Sequence, residues 1–348
     1  LKGVCSCALC NTRQKPTGVI TPRIERMRGY EIELTRSIDA GMGDCSSHFK
    51  FCDKGDGCSL LQPKDRDFCG CESCNAEKKV KEGGARKCPG HSCAERGTSQ
   101  YLTEIVKNSV EFHEVQGDFS QHRRTPRDNE FWDLKTDSSC GYEIATPPLT
   151  GGVVEKVVGP VVKALQAEAE LHKIEFVGNA CGLHVTFDVQ DVGARGIKQV
   201  VFTMLRHQAA LVGTQAGYRR GNEACPFLQN GKDTRREVAT VPNIKRQLPG
   251  RINNRGVMNL SKVQHGSDLI EFRYGGASLD IKEIAAFGVL NECLIQASLH
   301  RPEICITNNR KRRLFEEIVK PYIGDKRVEE AWEAVLEPRL KESTLGRV

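Results

Sequence analysis

Four short segments of the chain set apolar residues against charged ones at a spacing of two: Gly29-Tyr30-Glu31-Ile32-Glu33, Asp137-Ser138-Ser139 through Glu143, Cys181-Gly182-Leu183-His184-Val185, and Ile270-Glu271-Phe272-Arg273. Residues two apart in a strand share a face, so Glu31 and Glu33 point one way, and Glu271 and Arg273 do likewise. Ile32 and Leu34 then take the opposite, apolar face. Gathering several carboxylates into one partly dry cleft costs several kcal/mol per ion unless a metal ion or an arginine compensates. The pattern therefore predicts strands of one sheet whose charged face meets divalent metal and phosphate.

The chain has 348 residues, 28% of them charged and 6% aromatic, which is the composition of a soluble globular protein with one large core or two moderate ones. No run is apolar enough to span a bilayer, and nothing reads as a signal sequence. A net charge of +6 suits phosphate ligands, an acidic protein surface and nucleic acid equally, and excludes none of them.

Along the chain, Arg28 to Arg36 reads as a strand that ends near a Gly41-Met42-Gly43 turn. From Tyr101 the pattern becomes that of an α+β domain: a helix to Val115, strands over Glu130 to Lys135 and Gly141 to Thr146, and a helix from Gly151 to about His172 interrupted near Gly159-Pro160. A strand then carries Leu183, Val185 and Phe187 on one face, and a helix from Ala194 to Val212 aligns Ile197, Val201, Met204 and Leu205. Gly213 to Gly250 is a polar loop. Val257 to Ser261 and Ser267 to Tyr274 predict a hairpin around His265-Gly266, Asp280 caps a helix to about His300, and Arg310 to Glu342 is helical and charged. The expected organisation is an N-terminal Cys-rich segment (1–27), the first catalytic strand (28–44), a Cys-rich insert (45–100), the catalytic domain (101–305) and a charged helical tail (306–348).

The order of the motifs carries more than any one of them. The series Gly29/Glu31/Glu33, then Trp132/Asp137/Ser138/Ser139/Glu143, Cys181/Gly182/His184, Arg219 or Arg220 with Asn222, Cys225 and Pro226, and Asn259/Leu260 with Glu271/Arg273 resembles the amidoligase family, carboxylate–amine ligases similar in fold to glutamine synthetase. The resemblance runs from about Arg28 to Leu290. It implies a glutamine-synthetase-like antiparallel sheet with helices on one face and a concave face that holds ATP and two or more Mg²⁺ or Mn²⁺ ions. By that likeness Glu31, Glu33, Glu143, His184 and Glu271 are metal ligands and Arg273 clamps the transferring phosphate. Asn222 and Asn259 fall among the nucleotide contacts, and Arg219, Arg220 and Arg255 hold either the nucleotide phosphates or the acceptor carboxylate. Oxygen donors with one imidazole suit hard divalent ions, and a guanidinium suits phosphoryl oxygens.

The reaction so implied is amide formation through an acyl phosphate on a peptide, protein or amino-acid-like substrate, with Asp137 as the base for the entering amine. Family members often carry a second histidine two residues after the first, where this chain has Thr186. Taken alone, Glu-x-Glu on a strand is usually a solvated face, a Cys-Gly-x-His is usually a packed histidine, and Cys181 and Cys225 read as packed thiols.

Eleven of the sixteen cysteines lie before position 94, in a region with few residues to build a core. Cys5/Cys7/Cys10 and Cys69/Cys71/Cys74 share the spacing C-x-C-x-x-C, and Cys45, His48, Cys52, Cys58, Cys88, His91 and Cys93 complete an irregular zinc-binding module with ligands for two or three structural Zn²⁺ ions. A disulfide scaffold is the competing reading; Cys69 and Cys71 are too close in sequence to bridge readily, and an ATP-dependent enzyme works where ATP is, in the cytoplasm or associated with a virion. Nucleic acid is a weaker partner: Arg310-Lys311-Arg312-Arg313 is basic, but the insert has little aromatic interleaving. The alternatives from other classes are a zinc-binding structural protein of a virion or nucleic-acid complex on a ligase-like scaffold, and an ATP:guanidino phosphotransferase.

Overall fold

A computed structural model describes residues 25–35, 101–110, 115–116, 132–137, 140–173, 175–215, 238, 240, 244, 256–300 and 314–343. The chain divides into two compact units: Leu1–Tyr30, Pro148–Glu155 and Gly182–Val348 form the first, and Glu31–Pro147 and Lys156–Cys181 the second.

In the second unit, β1 (Arg28–Thr35, shared with the first unit) is followed by α1 (101–109), β2 (Val115–Gln116), β3 (Trp132–Asp137) and β4 (Gly141–Ala145), in the hydrogen-bonded order β2-β3-β4-β1. β4 runs antiparallel to both β1 and β3, while β2 runs parallel to β3. Ile32, Ile144 and Leu134 stand in one cross-strand row and are closed to solvent, so the period-two alternation of each strand buries one face. The helix expected from Tyr101 to Val115 ends at residue 109, and Val115 opens β2 instead.

Helix α2 (Val154–His172) runs unbroken through Pro160, where the sequence predicts an interruption. Val158, Val161, Val162 and Leu165 recur at helical spacing and are all buried. Burying that stripe outweighs the roughly 3 kcal/mol that an interior proline costs.

The first unit has the strand order β1-β5-β7-β6, with β5 (Gly182–Asp188), β6 (Met258–Asn259) and β7 (Leu269–Gly276) antiparallel. The expected hairpin between β6 and β7 holds a short helix, α4 (Ser261–Gln264), preceded in the chain by α3 (Ala194–Gly213). Its turn closes with Gly266 at φ 81° and Asp268 at φ 48°, both in the left-handed region that tight reversals demand. Helix α5 (Ile281–His300) packs on α3 and β5, and its N-terminus is capped by Asp280, whose Oδ1 accepts from the Lys282 amide at 2.8 Å. Tyr274 of β7 donates to Asn291 of α5 at 2.8 Å and lies edge-on to Phe287.

After Leu314 the chain is helical, as expected, in short pieces: a π-helical turn (Phe315–Val319), α6 (Lys326–Ala331), a second π-helical turn (Trp332–Leu336) and α7 (Glu337–Glu342). Glu317 of the first π turn meets His207 Nε2 of α3 at 3.1 Å and Arg206 Nε at 3.5 Å. The architecture is mixed helix and mainly antiparallel sheet, an α+β arrangement. Among the described residues, no helix is long and apolar enough to cross a membrane.

Candidate active site

The polar face of the second unit begins with a register. Glu33 of β1 stands directly opposite Glu143 of β4, and Lys135 of β3 stands opposite Glu143 from the other side. The three therefore make one row, Glu33–Glu143–Lys135, on the face opposite Ile32, Ile144 and Leu134. Glu33 and Glu143 are both 5% exposed, so this pair of like charges is largely out of water. Like charges directly across a strand pair are destabilising, and a positive charge must offset them. Lys135 Nζ supplies one, 2.5 Å from Glu143 Oε1. Burial by itself would lower the proton affinity of this ammonium, but the carboxylates of Glu31 and Glu143 outweigh it and the Lys135 pKa is raised. Glu31 lies on the same strand face as Glu33, and Asp133 on that of Lys135.

In the first unit the corresponding centre is Glu271 of β7, whose side chain is 3% exposed. Asn259 Nδ2 of β6 donates to its Oε2 at 2.8 Å, Arg273 Nη1 approaches its Oε1 at 3.3 Å, and Lys262 Nζ is 3.9 Å from Oε2. His184 Nδ1 lies 3.5 Å from Oε1. His184 reaches this carboxylate because it shares a strand face with Thr186, the residue paired with Glu271, and the backbone beside it is irregular. Leu183 pairs with Gly275 and Val185 with Phe272, so a bulge in β7 sets both Arg273 and Tyr274 opposite the single residue His184. Gly275 permits the closure, since a Cβ there would fall 2.5 Å from the Leu183 carbonyl oxygen and 2.9 Å from the Phe287 ring.

The other candidates are distributed unevenly. Asp137 ends β3 in register with Gly141. Asn259 spends its side-chain amide within the protein, donating to Glu271 and accepting from the Ser261 amide at 2.9 Å. Cys181 is fully buried. Arg219, Arg220, Asn222, Cys225 and Arg255 lie outside the described residues, as do Cys5, Cys7, Cys10, Cys45, His48, Cys52, Cys58, Cys69, Cys71, Cys74, Cys88, His91 and Cys93. Lys135 is the functional-face residue that motif reading passed over. The alternation of Trp132 and Leu134 with Asp133 and Lys135 was the signal that could have found it.

The donor set fits a divalent cation. Two nearly buried carboxylates face each other in one unit, and a buried carboxylate meets an imidazole nitrogen in the other, a mixture of hard oxygen ligands with one borderline nitrogen. His184 and Glu271 both belong to a group of side chains able to hold one ion. Arg273, on the same strand face as Glu271 and 29% exposed, adds a guanidinium beside the carboxylate, a group suited to anionic oxygens.

No curated protein matches the chain. Residues 75–295, well over half of it, match the family model described as "putative amidoligase enzyme". The matched segment carries Lys135, Glu143, His184, Glu271 and Arg273, while β1 with Glu31 and Glu33 precedes it and pairs with β4 inside it. On this match the chain belongs to the amidoligase family, a family of ligase enzymes.

Proposed function

We propose that the protein is an ATP-dependent carboxylate–amine ligase that forms an amide bond through an acyl phosphate on a peptide, protein or amino-acid-like substrate. The observation that carries this reading is the register of Glu33 against Glu143 on one face, a nearly buried pair of like charges that calls for cations. In this reading Glu31, Glu33, Glu143, His184 and Glu271 hold Mg²⁺ or Mn²⁺, on a sheet of glutamine-synthetase-like kind. Ions held by these carboxylates and His184 would supply positive charge to offset that of the transferring phosphoryl group. Arg273 steadies the same group's equatorial oxygens, and its own contact with Glu271 keeps the guanidinium in place.

The reaction has two steps. A carboxylate oxygen of the substrate attacks the γ-phosphorus of ATP and ADP leaves; the amine nitrogen then attacks the acyl carbon, phosphate leaves, and the amine proton passes to Asp137. Arg219, Arg220, Asn222 and Arg255 are assigned to the nucleotide phosphates or the acceptor carboxylate, and Asn259 to the nucleotide side of the site. The Cys-rich residues before position 94 are assigned two or three structural zinc ions.

The test is Mg²⁺-dependent ATP turnover by the zinc-loaded protein beside Glu33→Gln, with pooled amino acids and peptides supplied as donors and acceptors. ADP and phosphate released by the parent and not by the variant, with a product lighter by one water than its two parents, is the expected result. If Mg-ATP neither binds nor turns over, the ligase reading is wrong. Retention of zinc under those conditions would then favour a zinc-binding structural protein. For the base, Asp137→Asn should slow amide formation at saturating amine, and an unchanged rate removes Asp137 from that role.

A further inference from the structure

The row Glu33–Glu143–Lys135 contains a cation of the protein's own, and its place there is built rather than incidental. Lys135 is fixed opposite Glu143 by the β3–β4 register, Glu143 is fixed opposite Glu33 by the β1–β4 register, and the ammonium lies 2.5 Å from Glu143 Oε1. Its side chain is 30% exposed against 6% for Glu143, so the lysine covers the carboxylate from the solvent side. Glu31 shares the strand face of Glu33, and Asp133 that of Lys135, so two further carboxylates flank the row. A solvated surface lysine has no such surroundings.

We infer that Lys135 is a positioning residue of the cation site, the resident counter-charge of the Glu33–Glu143 pair, which lowers the pair's affinity for divalent ions and so limits how many the face accepts. This rests on the proposal above that these carboxylates hold divalent metal. Two carboxylates with one ammonium carry a net charge of −1; without the ammonium they carry −2 and attract a divalent ion more strongly. A lysine whose role is to bind substrate phosphate predicts no such gain.

Mn²⁺ binding, read by electron paramagnetic resonance on the zinc-loaded protein without ATP, tests this together with thermal melting. Lys135→Met should bind Mn²⁺ roughly tenfold more tightly than the parent, by the Coulomb term of one unit charge at short range partly screened by water. Its melting temperature without Mn²⁺ should fall by roughly 4 °C and recover on saturation with Mn²⁺. Lys135→Arg keeps the charge and should behave as the parent. Lys135→Gln keeps a donor toward Glu143 without the charge, and is the variant to read if the methionine form does not fold. Unchanged or weaker Mn²⁺ binding in both neutral variants overturns the inference. If the parent binds Mn²⁺ and Glu33→Gln does not weaken it, or the parent binds none, the metal reading of this row fails and the inference falls with it. A parent that binds, a weakened Glu33→Gln and an unchanged Lys135→Gln would overturn the role of Lys135 alone.

Discussion

Asn259 holds Glu271 from directly across the β6–β7 pairing: its Nδ2 donates to Glu271 Oε2 at 2.8 Å while its Oδ1 accepts from the Ser261 amide at 2.9 Å. One amide thus orients a buried carboxylate and ties down the first turn of α4. Both ends of the side chain are occupied, so its contribution to a bound nucleotide would come through Glu271.

Asn259→Ala should therefore act through Glu271. The carboxylate loses its shortest hydrogen bond and the Ser261 amide loses an acceptor, which together cost about 1–3 kcal/mol of stability. Ligand-orienting partners of this kind also matter for metal affinity, and Mn²⁺ binding should weaken by roughly 10- to 100-fold. Urea unfolding and Mn²⁺ titration measure the two effects separately. Full stability with unchanged Mn²⁺ affinity would mean that Asn259 does not position Glu271.

Much of this arrangement is legible in the chain, for a reason that can be stated. Ile32 and Leu34 in β1, and Ile270 and Phe272 in β7, alternate strictly with Glu31, Glu33, Glu271 and Arg273, and burial of one face fixes which side chains share the other. What periodicity misses is whatever breaks the period. The bulge that sets Arg273 and Tyr274 against His184 inserts one residue into an otherwise regular strand, and only Gly275 hints at it. α2 overrides its proline because the apolar stripe from Val158 to Leu165 is stronger than a single local preference. Lys135 is invisible to motif reading because its importance lies in its cross-strand partner, Glu143, and register is a property of two strands.

Thr186 offers a test of how far the imidazole–carboxylate centre extends. It pairs with Glu271 across β5 and β7 and shares a strand face with His184, and its Oγ1 is shut off from solvent with no hydrogen bond among the described residues. Thr186→His places a second nitrogen donor beside Glu271. Softer divalent ions gain more from nitrogen than Mg²⁺ does, so Co²⁺ affinity should rise by tenfold or more while Mg²⁺ affinity changes little. The visible spectrum of bound Co²⁺ reports the change in ligand set directly. The same spectrum and affinity in parent and variant would place Thr186 outside the ion's reach.

Helix α5 meets β1 at a point where only glycine fits. A Cβ on Gly288 would run into the Tyr30 hydroxyl and lie 2.9 Å from the Tyr30 Cζ, and Tyr30 is fully buried, so the ring has nowhere to go. Gly288→Ala should cost about 1–3 kcal/mol through overpacking, although alanine is the better helix former. Tyr30→Phe in the same chain removes the nearest clashing atom, and the double variant should recover part of that loss. Denaturation of the single and double variants gives the coupling; simple additivity would show that the two residues do not compete for space.

The ion pair between Arg28 and Glu292 makes a pH-dependent prediction. Arg28 Nη1 lies 2.7 Å from Glu292 Oε2, with 1% of one side chain and none of the other exposed, and the Arg26 amide donates to Oε1 at 2.7 Å. Burial raises the Glu292 pKa above its ordinary 4.5, and Arg28 is the strongest influence opposing that rise. A carboxyl whose folded value is raised adds stability below its unfolded value, and that contribution is lost as pH climbs through the folded value. Arg28→Met removes the opposing charge and raises the folded value further. The variant's deficit against the parent should then be greatest near pH 8, at about 3–5 kcal/mol for an unpaired buried charge, and should shrink toward about pH 5.5 as Glu292 takes up a proton. Pairing Arg28→Met with Glu292→Leu removes the stranded charge and should restore most of the stability at pH 8. Urea unfolding at the two pH values decides it. A deficit that does not vary with pH would assign the loss to packing, including the stacking of Arg28 over Phe187 at 5.8 Å, and not to the charge of Glu292.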